Sequence, residues 1–163
     1  MGGIAGYIAA FVVVVVAALG CIVVLPEWRR RAVSRRRLVA VPLLALVPTA
    51  VLLYLPPPEF GNPEVWMLAL VATVIGIARG ALVDLRVDHA RGRILLSRAP
   101  EAFWVMAGLL VLILLDVFAE PIGRLRSSFV GTVELLMVLL SFSLLGRNAA
   151  IVARSFDAPQ HDL

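Results

Sequence analysis

Residues 79–98, RGALVDLRVDHARGRILLSR, form the one extended polar stretch between two long apolar runs. Five arginines lie in it (79, 86, 91, 93 and 98). Arginine-rich loops of membrane proteins stay on the cytoplasmic side, because moving their charge through hydrocarbon is costly. The stretch therefore predicts one face of the protein that stays in one compartment, with the apolar runs on either side crossing a bilayer away from it.

Charged and apolar residues alternate inside this stretch. Leu85 and Val87 alternate with Arg86 and Asp88, and a glycine-containing turn precedes a second short run. Alternation with a period of two, interrupted by such a turn, is typical of a β-hairpin. We predict strands near 83–88 and 93–98, with a helical structure as the alternative. Because two strands alone are marginal in water, the hairpin should pack on the membrane surface or on helix ends.

The composition favours a membrane protein over a water-soluble one. The chain is 61% hydrophobic, against roughly 45–50% for soluble domains, and its mean hydropathy is +0.98. All 15 basic residues are arginines, and they flank apolar runs instead of covering a polar surface. This distribution argues against a nucleic-acid partner. The single Cys21 and two distant histidines lack ligand spacing, so we predict no metal and no cofactor.

The apolar runs predict an all-α membrane protein with five transmembrane helices, at about 3–25, 38–55, 65–82, 102–119 and 129–145. Runs of this length suffice for a hydrocarbon core about 30 Å thick. Residues 1–154 would form a single integral membrane domain, followed by a disordered polar tail at 155–163. The second run is the weakest because it contains Pro42 and Pro48, and Pro48 should kink the helix.

The arginine distribution predicts the orientation of these helices. Five spans place thirteen arginines on one side and two on the other. The arginine-rich side faces the cytoplasm, so the N-terminus should lie outside and the C-terminus inside. The residues predicted at the cytoplasmic interface are Trp28, Arg29, Arg30, Arg31, Arg35, Arg36, Arg37 and Arg79. They either bind anionic lipid head groups or mark the topology alone.

Small residues form a stripe on the third predicted helix. Ala72, Gly76 and Gly80 recur every four residues and therefore share one face. Small side chains let two helix backbones approach closely in a membrane. We predict a tight helix contact along this stripe.

Charged residues also occur around the last two predicted helices: Asp116, Glu120, Arg124, Arg126 and Glu134. Asp116 and Glu134 should lie at similar depth, because their helices are antiparallel neighbours. Intramembrane acids are candidates for function. The cluster is either a polar pocket for a proton or a ligand, or an ion-paired lock that holds a helical hairpin.

Two segments, RRLVAVPLLALVPTAVLLYLPPP at 36–58 and VIGIARGALVDLRVDHARGRILLSRAP at 74–100, carry a family pattern. Its marks are a proline in the second span, a proline-rich stop, a G-x-x-R-G junction and the hairpin. With the following apolar span, this pattern resembles the CcdC-like small bacterial membrane proteins. The resemblance implies a polytopic protein of the bacterial inner membrane. The family's name records an association with cytochrome c biogenesis, its biochemical role is unassigned, and it supplies no catalytic residues.

The sequence contains no GxSxG, P-loop or HExxH motif. This favours a non-catalytic accessory or assembly factor whose partners are membrane lipids and other membrane proteins, or a second copy of itself. One alternative is a small transporter or channel component that uses the Asp116 and Glu134 region. Another is a membrane-embedded enzyme acting on a lipid or a quinone.

Overall fold

The computed structural model describes residues 4–28, 33–54, 63–88, 93–96, 100–119 and 126–157. Within these ranges the chain forms five helices and one small antiparallel sheet. The helices are α1 (Ile4–Trp28), α2 (Arg35–Tyr54), α3 (Pro63–Ala81), α4 (Pro100–Ala119) and α5 (Arg126–Asp157). The strands are β1 (Val33–Ser34), β2 (Leu85–Asp88) and β3 (Arg93–Leu96).

The five helices coincide with the five apolar runs, but α5 is much longer than predicted. Its predicted end at 145 is wrong, because the helix continues through Gly146 and Arg147 to Asp157. Arg147 and Asn148 are buried, and Ile151 joins a hydrophobic core. Tertiary packing thus sustains the helix where its polar residues suggested an end. The predicted disordered tail therefore starts too early, and residues 158–163 lie outside the described part.

Among the described residues, two helices are long and apolar enough to cross a membrane, namely α3 (Pro63–Ala81) and the segment Thr132–Phe156 of α5. In α1, the apolar segment Ala10–Leu25 is shorter. α2 is one continuous helix although Pro42 and Pro48 lie inside it.

Helix α5 is the centre of the bundle. It packs against α3, α2 and α4, while α1 packs against α4 and α2 on the far side. The main core lies between α1, α2, α4 and α5. Its fully buried side chains include Val13, Ala45, Met106, Ile113 and Met137.

The predicted hairpin is present, and it is the larger part of a three-stranded sheet. β2 and β3 pair antiparallel, with Val87 opposite Ile94. β1 adds a third strand on the other side of β3, with Val33 also opposite Ile94. We did not predict β1, because two residues are too few to show a periodicity.

The sheet packs on helix ends. Val33, Val87 and Ile94 form one buried cluster with Leu38 near the start of α2 and Ile151 near the end of α5. A single small core thus joins the sheet to two helices of the bundle, as the marginal stability of an isolated hairpin requires.

Large hydrophobic side chains cover the outside of the bundle. Each helix exposes at least one of them, for example Phe11 at 70%, Leu43 at 55%, Leu70 at 68%, Trp104 at 64% and Leu135 at 39%. A water-soluble protein rarely exposes apolar surface on every element. An apolar exterior is what a helix bundle presents to lipid.

Candidate functional site

A close helix contact joins α3 to α5, and glycines create it. A Cβ atom on Gly76 would lie 2.9 Å from the Arg147 nitrogen, and one on Gly80 would lie 2.5 Å from the Arg147 carbonyl oxygen. On α5, a Cβ on Gly146 would lie 3.0 Å from the Ile77 nitrogen. Real Cβ atoms do not approach backbone atoms this closely. The contact, which we call the glycine seam, therefore exists only because Gly76, Gly80 and Gly146 lack side chains.

The small-residue stripe of α3 lies on this seam. Ala72, Gly76 and Gly80 are all buried, although most of the remaining α3 surface is exposed. The partner backbone belongs to Ser143 and Arg147 of α5. The stripe therefore packs α3 against the part of α5 that contains the buried Arg147.

Arg147 is the centre of a polar network between helices, and its side chain is 3% exposed. Its Nε atom donates to Oε2 of Glu101 on α4 at 3.3 Å, and its Nη1 atom donates to Oδ1 of Asn148 at 3.0 Å. Arg79 of α3 pairs with the other Glu101 oxygen, Oε1. One carboxylate therefore accepts from two arginines on two different helices.

Asn148 extends this network to α2. Its Nδ2 atom donates to the Leu38 carbonyl oxygen at 2.9 Å. In a regular helix that carbonyl would accept from the nitrogen of residue 42, four positions later. Residue 42 is proline, which has no N–H. The Asn148 amide thus supplies the donor that Pro42 removes from α2.

We predict that Asn148→Leu destabilises the protein by about 1–3 kcal/mol, the usual cost of leaving a buried polar group unsatisfied. In a Pro42→Ala background the same change should cost about 1 kcal/mol less, because alanine at that position restores the helical donor to Leu38. Thermal unfolding of the four proteins of this cycle in detergent measures both values. Equal costs in both backgrounds would contradict the assignment.

Two further polar contacts hold helices together. Thr49 of α2 and Ser141 of α5 form a buried hydrogen bond between hydroxyls at 2.8 Å, and both lie within hydrogen-bond distance of the Ala45 carbonyl oxygen. Arg154 of α5 donates to the carbonyl oxygens of Gly80 and Val83, at 3.0 and 2.7 Å. Arg154 thereby caps the C-terminal end of α3.

Asp116 and Glu134 of the predicted acidic cluster lie toward the opposite end of α4 and α5 from this network. Gly108 faces Leu140 across the α4–α5 contact. Asp116 lies eight residues after Gly108 on α4, and residue 132 lies eight residues before Leu140 on α5. Because the two helices are antiparallel, Asp116 and residue 132 lie at the same depth. Asp116 and Glu134 therefore differ in depth by less than one helical turn. Glu134 is 7% exposed, and both residues have interaction partners. Glu120 and Arg124 lie outside the described residues, as does the side chain of Arg126.

The predicted interface arginines are only partly described. Arg36 and Arg37 are exposed at the start of α2, and Arg79 is exposed at the end of α3. Of these, only Arg79 joins the network described above. The side chains of Trp28 and Arg35, and all of Arg29, Arg30 and Arg31, lie outside the described part.

Sequence reasoning missed Glu101, Arg147 and Asn148 as members of one site. A usable signal was the seven-residue spacing of Ser141, Asn148 and Ser155, which places three polar residues on one helical face. All three are buried. Polar residues that repeat on one face of an apolar helix indicate a buried polar contact, and we interpreted two of them as lying beyond the helix.

An open groove lies between α2 and α5, beside Asn148. Its volume is about 360 Å³, and apolar side chains such as Val39, Leu43 and Ala149 line it.

No group of three or more potential metal ligands occurs among the residues that the structure describes.

Comparisons of the chain with protein-family profiles, curated proteins and solved structures found no match. The resemblance to the CcdC-like proteins therefore stays a prediction from the sequence pattern.

Proposed function

We propose that the chain is a five-helix protein of the bacterial inner membrane and serves as a non-catalytic accessory or assembly factor for a membrane complex. In this proposal the N-terminus lies outside and the sheet and C-terminus face the cytoplasm. The supporting observation is an apolar exterior on all five helices combined with polar groups turned inward.

The charges of the described network also favour a structural role. The Glu101 carboxylate forms ion pairs with both Arg79 and Arg147, and it thereby connects α4 to α3 and α5. Such a group is a poor candidate for a general acid or base, which must exchange its proton freely with a substrate. We infer that the network holds the helices in register.

The arrangement of α3 favours partner contacts. This helix packs chiefly on α5, through the glycine seam. Its opposite side exposes Trp66, Met67, Leu70, Val74 and Ile75, each between 48% and 69% accessible. A peripheral helix with a wide apolar face is suited to accept a helix of another membrane protein or of a second copy.

Photo-crosslinking in living cells tests the accessory role. A photoreactive amino acid in place of Val74 on α3 should yield a discrete protein adduct. Phe11 on α1 is the control position, because it is exposed at 70% as against 58% for Val74. A photoreactive amino acid there should yield adducts with lipid alone. Lipid adducts alone at both positions would contradict an accessory role through α3.

The transporter alternative rests on the shared depth of Asp116 and Glu134. Proton-coupled flux in proteoliposomes that disappears in Asp116→Asn would favour it over the accessory role. Loss of that flux in Glu134→Gln with unchanged stability would exclude a purely structural lock.

A further inference from the structure

The groove between α2 and α5 has one polar end. Leu43 and Leu145 line its inner part, and Val39 and Ala153 line the part nearer the sheet. Arg36 precedes Val39 by one turn and Leu43 by two, so all three lie on one face of α2. The Arg36 side chain is exposed. Arg36 thus lies one turn before the first groove residues on the same face of α2, about 10 Å along the helix from Leu43.

Pro42 and two alanines are among the residues that line this groove. Ala149 and Ala153 are four positions apart on α5 and therefore leave a shallow face opposite Val39 and Leu43. Asn148 at its floor is already bound to the Leu38 carbonyl oxygen. The floor is thereby left apolar, and an occupant needs no hydrogen-bonding groups within the groove.

We propose that this groove binds an anionic phospholipid, with one acyl chain between Val39, Leu43 and Ala149 and with the phosphate group held by Arg36. The inference builds on the proposed membrane location. Basic sites between transmembrane helices on the cytoplasmic side bind anionic head groups, and Arg36 lies on that side in our topology. The neighbouring exposed Arg37 adds positive charge at the same end.

The dimensions favour a lipid chain over a partner helix. An α-helix with its side chains is about 10 Å across, so it could rest on the groove but not lie within it. A single acyl chain is thinner, carries no polar groups and matches the apolar lining.

Native mass spectrometry of the purified protein in detergent tests the proposal. Phosphatidylglycerol should bind several times more strongly than phosphatidylcholine of the same chain length. Arg36→Gln should weaken phosphatidylglycerol binding about fivefold, and Ala149→Trp, which fills the groove, should weaken it at least as much.

Two matched controls should bind as the unmodified protein does. Arg86→Gln removes the same charge from the exposed strand β2, and Ala78→Trp adds the same bulk to an exposed position on α3. Equal binding of the two lipids, or equal losses in Arg36→Gln and Arg86→Gln, would overturn the proposal. Arg36 is exposed, so its variant decides the matter even if Ala149→Trp does not fold. Either negative result leaves the membrane topology standing, because topology is measured separately.

Discussion

Gly76→Ala is expected to lower the free energy of unfolding by about 2–3 kcal/mol, at the upper end of what overpacking costs. The new Cβ would meet backbone atoms of α5, with the Ser143 carbonyl carbon at 2.8 Å. Backbone atoms cannot rotate away as a side chain can, so α3 must separate from α5. Thermal unfolding of the purified protein in detergent measures the loss.

Two other glycines serve as controls for this prediction. Gly108→Ala places its Cβ 3.6 Å from a Leu140 side-chain atom, an ordinary contact, and should be neutral or stabilise by up to about 1 kcal/mol. Gly20→Ala meets the flexible end of Met106, which can move, so its cost should fall between the other two. If all three substitutions shifted the unfolding temperature alike, the seam would not be the tight contact described here.

Glu101→Gln is expected to cost about 3 kcal/mol, because removing the carboxylate of a buried ion pair weakens the compensation of the other charge. That other charge is Arg147, whose side chain is 3% exposed. Arg79→Gln should cost less than about 1 kcal/mol, since the Arg79 side chain is 43% exposed and water can replace its contact. Unfolding experiments on the two variants compare these costs directly.

A double variant tests whether Glu101 acts through Arg147. Arg147→Met removes the buried charge, so Glu101→Gln added to it should cost much less than in the unmodified protein. Strict additivity of the two substitutions would show that the pair is not energetically coupled and would contradict the network.

The sequence predicted the features that depend on local pattern. Five apolar runs became five helices, and alternation around Val87 predicted the hairpin. The stripe of Ala72, Gly76 and Gly80 pointed to a close helix contact, and the structure places α5 against it. Each of these signals lies within one segment, where residue spacing alone decides which side chains share a face.

The remaining features depend on contacts between distant segments. The continuation of α5 past Gly146 depends on Glu101, 46 residues away from Arg147, and on Leu38, 110 residues away from Asn148. No local pattern connects these residues. Besides the polar spacing on α5, Pro42 in α2 offered a hint, because the carbonyl group that Pro42 leaves without a donor must find one elsewhere.

We expect the helices to cross a bilayer with the sheet and the Arg147 network on the cytoplasmic side. Labelling with a membrane-impermeant maleimide measures this topology, in a Cys21→Ala background that removes the single native thiol. In cells with a permeabilised outer membrane, Asn62→Cys should react at once, whereas Arg86→Cys should react only after the inner membrane is lysed. Reaction at both positions in intact inner membranes, or recovery of the chain in the soluble fraction without detergent, would rule out this topology.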